Sequence, residues 1–189
     1  MFPYTYYEGK SRRAQPAKNH VDIIQRLQRP QPLLSPPVLS RSEFSTVETA
    51  LGKAKGETQV MSALAHVLKP DTRITSRADQ LFTNLELPAD LKLSQAKPDS
   101  YDGAPPAGIH PDVRQELRQY IQPSKKATEL LVSNFFLEGK AVNGDDVVLA
   151  RQALYDGALG ARAMHHLRAF GLPDATHPYT GEADTISVT

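Results

Sequence analysis

The sequence predicts one α/β domain with a small mixed sheet flanked by helices, preceded by a tail of different composition. Short apolar segments with strand character alternate with two long helical segments from residue 46 onward, which is the pattern of an α/β arrangement. The length of 189 residues suits one ordinary domain plus a tail. A hydrophobic content of 40% with 23% charged residues indicates a soluble protein able to build a core.

The first 45 residues differ in composition from the rest of the chain. They hold seven Lys and Arg against three Asp and Glu, and six of the 15 prolines. Such a stretch cannot build a core, so we predict that residues 1–45 form a disordered, Pro-rich basic tail with one helical turn at residues 21–27. A mildly basic tail either contacts nucleic acid or a partner, or is only a linker.

The domain is predicted to span residues 46–189. Its first half is expected to begin with a helix over residues 57–68. Positions 57, 61, 64 and 68 fall on one stripe of that helix, which would align Glu57 with its buried face. Short strands are then expected around residues 73–75, 81–83 and 97–101. Pro111 opens a short helix that runs to Ile121.

The second half is expected to hold a strand, a long helix and a final strand. The apolar strand ends at Lys140, and the helix spans residues 145–170, beginning with two acids that suit its positive N-terminal end. Small residues at 157–161 would let a sheet or helix approach closely. The final strand at 184–189 ends abruptly, so one hypothesis is that the chain is an incomplete gene product truncated at its C-terminus.

An acid and a lysine stand two residues apart at the end of the apolar strand Asn-Phe-Phe-Leu-Glu-Gly-Lys, residues 134–140. Glu138 and Lys140 share one parity and should point to the same face. Burying both charges is costly without a reason. One interpretation is a metal-dependent nuclease site, in which Asp99 and Glu138 hold a hard divalent cation and Lys140 assists a water. The alternative is a surface salt bridge on an edge strand, which the spacing equally allows.

Other chemistries find little support in the sequence. There is no cysteine, so disulfides and thiolate zinc sites are absent, as suits a reducing compartment. His165 and His166 would point about 100° apart on a helix, which does not suit a shared zinc ion. No apolar run approaches the roughly 20 residues of a membrane span, and the N-terminus lacks a secretory pattern. We therefore expect an intracellular protein, nuclear or cytoplasmic, without a membrane partner.

The order of the predicted elements, with Asp99 on the second strand and Glu138-x-Lys140 on the third, resembles the core of the PD-(D/E)XK nuclease superfamily. Four segments carry a more specific resemblance: residues 81–85, 97–104, 134–140 and 151–165. More specifically, residues 56 to 189 are similar to an uncharacterised fungal protein family. The resemblance implies a restriction-endonuclease-like core made of a helix, a small mixed sheet, a long helix and a terminal strand. The predicted helix at 111–121 would be an insertion in that core.

The resemblance also implies a role for each residue of the motif. Asp99 and Glu138 would ligate Mg²⁺ or Mn²⁺ through carboxylate oxygens, with the Gly139 carbonyl as a further ligand. Lys140 would orient or deprotonate the attacking water and stabilise charge on the phosphorus. The chain departs from the superfamily at Gly139, where alanine is usual.

Two further residues match the superfamily and have alternative interpretations. Glu57 matches an acid that many members add to the metal shell, although an acid in the first turn of a helix is favourable without any metal. Gln152 matches a catalytic glutamine that some members use to brace the site, but a glutamine at such a position is more often a polar residue that bridges helix and sheet. Tyr155 follows Gln152 by three positions, whereas one nuclease subgroup has a tyrosine four positions after the glutamine.

Two functional hypotheses follow from these observations. The first is a magnesium-dependent nuclease-like domain that acts on nucleic-acid phosphodiesters. The second is a catalytically inactive module that keeps the nuclease fold and binds protein or nucleic acid. Residues 46–189 carry 15 Lys and Arg against 18 Asp and Glu, which mildly favours the second hypothesis because duplex-binding enzymes usually present a basic face.

Overall fold

The computed structural model describes residues 4–7, 10–13, 16–29, 40–67, 74–87, 93–140, 144–173 and 180–189. Within these ranges, residues 4–7, 10–13 and 65–67 are described by their backbone alone.

The described residues form six α-helices and six strands, together with one short 3₁₀ turn. In chain order these are β1 (Tyr4–Tyr7), β2 (Lys10–Arg13), α1 (His20–Gln28), α2 (Arg41–Lys53), α3 (Glu57–Val67), β3 (Thr75–Ala78), β4 (Ser100–Ala104), the 3₁₀ turn (Pro106–Gly108), α4 (Pro111–Glu116), α5 (Arg118–Ile121), β5 (Leu131–Leu137), α6 (Asp146–Ala169) and β6 (Ile186–Val188). Among them, no helix is both long enough and apolar enough to cross a membrane.

The main sheet has four strands in the order β3-β4-β5-β6. Strand β4 pairs antiparallel with both β3 and β5, and β6 pairs parallel to β5. A parallel pair needs a crossover connection, and α6 supplies it between β5 and β6. The small mixed sheet flanked by helices, expected from the sequence, is confirmed. β1 and β2 form a separate antiparallel hairpin.

The core lies between the sheet and α6. Tyr101 of β4 pairs with Phe136 of β5, and both side chains are fully buried. Leu159 of α6 packs on them, and Phe82 meets the Tyr101 ring edge-on with centroids 5.1 Å apart. A Cβ atom at Gly160 would lie 2.7 Å from both the Ser133 carbonyl oxygen and Phe136 Cε2. The small residues of α6 therefore allow the close approach that the sequence predicted.

The helical insertion between β4 and β5 packs on the other half of α6. The expected helix over 111–121 is divided at Leu117, which ends α4 and precedes α5. Leu117 and Ile121 join a second apolar cluster with Ala163 of α6 and with Leu131 and Val132 of β5. The insertion thus covers the part of α6 that lies farthest from the end of β5.

Helix α3 begins where the sequence predicted, but it presents a different face to the core. Val60 and Ala63 are buried, whereas Glu57 is exposed. Met61, which belongs to the predicted stripe, does face inward toward Gly139, together with Val60. The expected alignment of Glu57 with the buried face is wrong, because Glu57 lies in the first turn of the helix with its side chain in solvent.

The strand expected at residues 81–83 is also wrong. This segment is irregular, and it is held by a hydrogen bond from the Phe82 amide to the Ala96 carbonyl at 2.8 Å. Phe82 is a single buried anchor, so its apolar character reflects packing into the core and not a strand ladder. The strand expected over 97–101 begins only at Ser100, and Asp99 lies immediately before it.

The N-terminal segment contains more regular structure than its composition predicted. Helix α1 includes the expected turn at 21–27, and the hairpin of β1 and β2 also falls within residues 1–45. Helix α2 crosses the predicted boundary at residue 45, because Ser40 begins it with a reciprocal capping box involving Glu43. Residues 30–39, which hold four of the segment's prolines, lie outside the described residues.

Candidate functional site

Asp99 and Glu138 lie next to each other at one end of the sheet. The antiparallel register pairs Ser100 with Leu137, so these two acids form the next pair just beyond β4 and β5. The Asp99 amide donates to Glu138 Oε1 at 3.3 Å, and the Gly139 amide donates to Asp99 Oδ2 at 2.8 Å. Asp99 stands two residues before the buried Tyr101, and Glu138 stands two residues after the buried Phe136. Side chains two residues apart on a strand point to the same face, so both acids are directed toward the face covered by α6.

Glu138 is a buried acid, with 3% of its surface exposed. Its backbone amide donates to the Val188 carbonyl at 3.0 Å, which continues the pairing of β5 with β6 beyond the end of β5. Burial raises the pKa of Glu138, and the neighbouring Asp99 charge raises it further, while a hydrogen bond with Asp156 opposes both effects. Glu138 is therefore an acid held in place by both neighbouring strands and by α6.

Asp156 is a third acid at this site, and no sequence motif pointed to it. It lies on α6 and is 2% exposed. Burial, followed by a hydrogen bond with Glu138 and the charge of Glu138, raises the pKa of Asp156 to about 8. The Oδ2 atom of Asp156 is buried without a hydrogen-bond partner within the described ranges.

A sequence signal for Asp156 was nevertheless present. It stands four residues after Gln152 and three before Leu159, so the three positions fall along one side of the helix. An acid in line with Leu159, on the stripe expected to be buried, needs a polar partner there.

Lys140 and Glu57 form an ion pair that joins the residues after β5 to the start of α3. The Lys140 side chain is 15% exposed and that of Glu57 is 47% exposed. Glu57 thus contacts the amine of Lys140, the candidate catalytic residue. This salt bridge is not the surface pair on an edge strand that the alternative interpretation expected, because β5 is an inner strand of the sheet and Lys140 pairs with Glu57 of α3.

Gly139 and Gln152 occupy different surroundings. The Gly139 amide donates to Asp99, and a Cβ atom at Gly139 would come within 2.8 Å of Sδ at the flexible end of the Met61 side chain. Gln152 is half-buried on α6, and its Oε1 atom is buried without a hydrogen-bond partner in the described part of the chain. Its bracing role stays a prediction.

The arrangement of the acids limits how they could bind a cation. In the ranges that the structure describes, no group of three or more His, Asp or Glu side chains is placed to hold a metal ion. Mg²⁺ usually keeps several waters and is bound through only one or two carboxylates. Asp99 and Glu138 fit that smaller donor set, since they are neighbouring carboxylates with the Gly139 backbone beside them.

No protein-family model, curated protein or solved structure matches this chain. The relationship to the PD-(D/E)XK superfamily and to a fungal family therefore stays a prediction that rests on the sequence segments. The arrangement of Asp99, Glu138, Lys140 and Asp156 is the basis on which a function can be proposed.

Proposed function

We propose that residues 46–189 form a PD-(D/E)XK-like domain that hydrolyses nucleic-acid phosphodiesters with Mg²⁺ or Mn²⁺. The observation that carries the proposal is the neighbouring pair Asp99 and Glu138, with Lys140 two residues beyond. The element order gives further support. Helix α3, three antiparallel strands, α6 and the parallel strand β6 follow one another as in the core that the sequence resemblance implies.

Each residue at the end of the sheet has a chemical role in this proposal. Asp99 and Glu138 hold the cation through carboxylate oxygens, and the Gly139 carbonyl is available as a further oxygen ligand. The bound cation supplies a Lewis acid that neutralises charge on the phosphoryl oxygens. Lys140 positions the attacking water and stabilises the negative charge that develops on phosphorus.

The ion pair with Glu57 gives Lys140 a defined place before substrate binds. A lysine ammonium on a flexible stem loses considerable conformational freedom when it is fixed. Glu57 fixes it from α3, and the largely covered Lys140 side chain lies close to the site acids in sequence. Glu57 thereby has a positioning role toward Lys140 in this proposal, and its role as a metal ligand, which the resemblance implies, stays a prediction.

The decisive experiment is cleavage of plasmid DNA and of RNA by the purified full chain, with Mg²⁺ or Mn²⁺ present. Lys140→Ala should abolish cleavage while Mn²⁺ binding through Asp99 and Glu138 survives. Lys97→Ala is a matched control, because Lys97 also forms an ion pair, with Asp79 at 3.0 Å, and lies two residues from Asp99. The control should retain cleavage. A wild-type rate in Lys140→Ala would remove the catalytic assignment.

A second candidate function is a catalytically inactive module that binds nucleic acid or protein. It is favoured by the contacts that already occupy the site, since Glu138 is bonded to Asp156 and Lys140 to Glu57. Residues 46–189 also carry three more acidic than basic residues. A purified, folded protein that neither binds Mn²⁺ nor cleaves nucleic acid would favour this candidate.

A further inference from the structure

Glu129 is a buried acid outside the proposed cation site. It is 3% exposed and stands two residues before β5. Three donors meet its carboxylate. The Tyr101 hydroxyl and the Leu130 amide donate to Oε1, the amide at 3.2 Å, and the Ser124 hydroxyl donates to Oε2 at 2.7 Å. Burying an acid is costly even when it is hydrogen-bonded, and an apolar side chain would fill the core without that cost, so this arrangement needs a specific reason.

The apolar pattern of β5 permits more than one register against β4. Tyr101 lies opposite Phe136, but another phenylalanine, Phe135, stands one position away. A shift by one residue would place Phe135 opposite Tyr101 and would turn Phe136 to the other face of the sheet. The same shift would turn Glu138 away from Asp99, so the proposed cation site exists in one register only.

The pairing of β4 with β5 is irregular on the side of Tyr101 that lies away from the site. Over residues 102–104 β4 advances by two positions, while β5 advances by four over residues 131–135. Val132 in this segment has a φ of 53°, a left-handed conformation that a β-branched residue adopts only at a cost. The extra residues give β5 slack, so the pairing at its start does not determine the register at its other end.

We propose that the bond between Glu129 and Tyr101 locks β5 in the register that brings the two site acids together, which makes both residues positioning residues. The inference rests on the proposed function, because a cation site is what gives this register its importance. The bond spans the irregular segment, since Tyr101 pairs on one side of it and Glu129 precedes it. A shift by one residue moves a strand by about 3.4 Å, which would take the carboxylate oxygen out of hydrogen-bond range. Buried polar contacts are known to determine register in this way.

NMR spectroscopy of the full chain tests the lock, because cross-strand nuclear Overhauser effects report which residues face each other. Tyr101→Phe removes the hydroxyl and keeps the ring. In this variant, backbone contacts of residue 101 with Phe135 should appear beside those with Phe136, since one hydrogen bond to a carboxylate changes the balance of registers by about tenfold. The Gly139 amide, which donates to Asp99 Oδ2 at 2.8 Å, should exchange faster by about the same factor.

Two matched variants distinguish the lock from a general loss of stability. Tyr155→Phe removes a buried hydroxyl that has no hydrogen-bond partner among the described residues, and it should keep a single register. Glu129→Gln retains an oxygen that accepts from Tyr101, so it should keep the register too. The Phe82 amide donates to the Ala96 carbonyl at 2.8 Å, outside the pairing of β4 with β5, and should exchange in all variants as in the wild type.

Three results would overturn the proposal. The first is a single register in Tyr101→Phe with unchanged exchange at Gly139. The second is equal acceleration of the Gly139 and Phe82 amides, which indicates general loosening, and the third is a shifted register in Glu129→Gln. If Tyr101→Phe does not fold, Ser124→Ala removes the donor to the other carboxylate oxygen and takes its place, with the same expected and contradicting results.

Mn²⁺ titration of the same proteins separates this inference from the proposed function. The Mn²⁺ affinity of Tyr101→Phe should fall in proportion to the fraction of molecules that keep the wild-type register. If the wild type binds no Mn²⁺ while the register of Tyr101→Phe shifts as expected, the nuclease proposal is wrong and the lock stands. If the wild type binds Mn²⁺ and the register of Tyr101→Phe does not shift, the lock is wrong and the nuclease proposal stands.

Discussion

Asp156 and Glu138 are both buried acids, and the cost of burying Asp156 depends on pH. The pKa of Asp156 is raised to about 8 in the folded chain, well above its usual range, first by burial and then by Glu138. A raised pKa means that the folded state is most favoured at low pH, below the unfolded value, and loses stability as pH rises through the folded value. The free energy of unfolding should therefore fall between about pH 4 and pH 8, by up to about 1.4 kcal/mol per pH unit.

Urea unfolding of the wild type and of Asp156→Asn, at pH 5 and pH 8, measures this effect. The asparagine variant has no proton to lose at position 156, so its stability should change much less over this range. Asp112→Asn removes an acid whose side chain is 85% exposed and should behave like the wild type. A decline of equal size in wild type and Asp156→Asn would contradict the assignment of the proton to Asp156.

The residues of the site differ in how far the sequence could reveal them. Asp99 and Glu138 could be predicted as neighbours because strand alternation and antiparallel pairing depend on local spacing. The contact of Asp156 with Glu138 depends on how α6 is rotated about its axis, which is set by packing at Gly160. The pairing of Lys140 with Glu57 likewise depends on where α3 lies, and residue spacing does not encode that placement.

At the scale of elements, the position of α6 depends on Gly160. A methyl group there would meet the Ser133 carbonyl, the Phe136 ring and Thr185 Cγ2, all within 2.8 Å. Gly160→Ala should lower the free energy of unfolding by about 1–3 kcal/mol, because overpacking outweighs the better helix propensity of alanine. Gly52→Ala in α2 is the matched control, since nothing lies within 4 Å of its new methyl group.

Urea unfolding of the two glycine variants provides the measurement. Gly52→Ala should be neutral or more stable, by at most about 1 kcal/mol. If both variants gain stability equally, the close contact of α6 with β5 is absent in solution.

The elements with strong local signals were the ones that the sequence predicted well. Helix α6 has an Asp145 side chain that accepts from the Val147 and Val148 amides, and β5 is a continuous apolar run. The segment around Phe82 was mistaken for a strand because one deeply buried aromatic residue resembles a short strand pattern. The start of α2 was missed although Ser40 and Glu43 form a capping box, because the surrounding proline-rich composition was given more weight.

At the scale of the whole molecule, positive charge is concentrated toward the N-terminus. Residues 1–45 carry seven basic and three acidic residues, whereas residues 46–189 carry 15 and 18. The N-terminal segment is connected to the domain near β6, where the Asn19 side chain donates to the Ala183 carbonyl at 2.9 Å and accepts from the Ala183 amide at 2.8 Å. Basic residues of this segment are thereby attached to an acidic domain that alone would repel a phosphate backbone.

We therefore expect nucleic-acid binding to depend on the N-terminal segment and on salt. A gel-shift titration of plasmid and single-stranded DNA should show binding at low salt that weakens as salt rises. Replacing Lys10, Arg12 and Arg13 by alanine should reduce the slope of log affinity against log salt by about 0.9 for each duplex phosphate that these side chains neutralise. Replacing the exposed Lys125 and Lys126 is the control and should change the slope less.

The two competing functions make different predictions in this titration. A nuclease that uses the site at Asp99 and Glu138 must bring a polyanion to an acidic end of the sheet, so its binding needs compensating cations and must be sensitive to salt. A module that binds only protein has no such need. If no salt-dependent shift is seen at low salt, the result counts against the nuclease. If the shift is unchanged when Lys10, Arg12 and Arg13 are replaced, the nucleic acid contacts the domain itself and not the N-terminal segment.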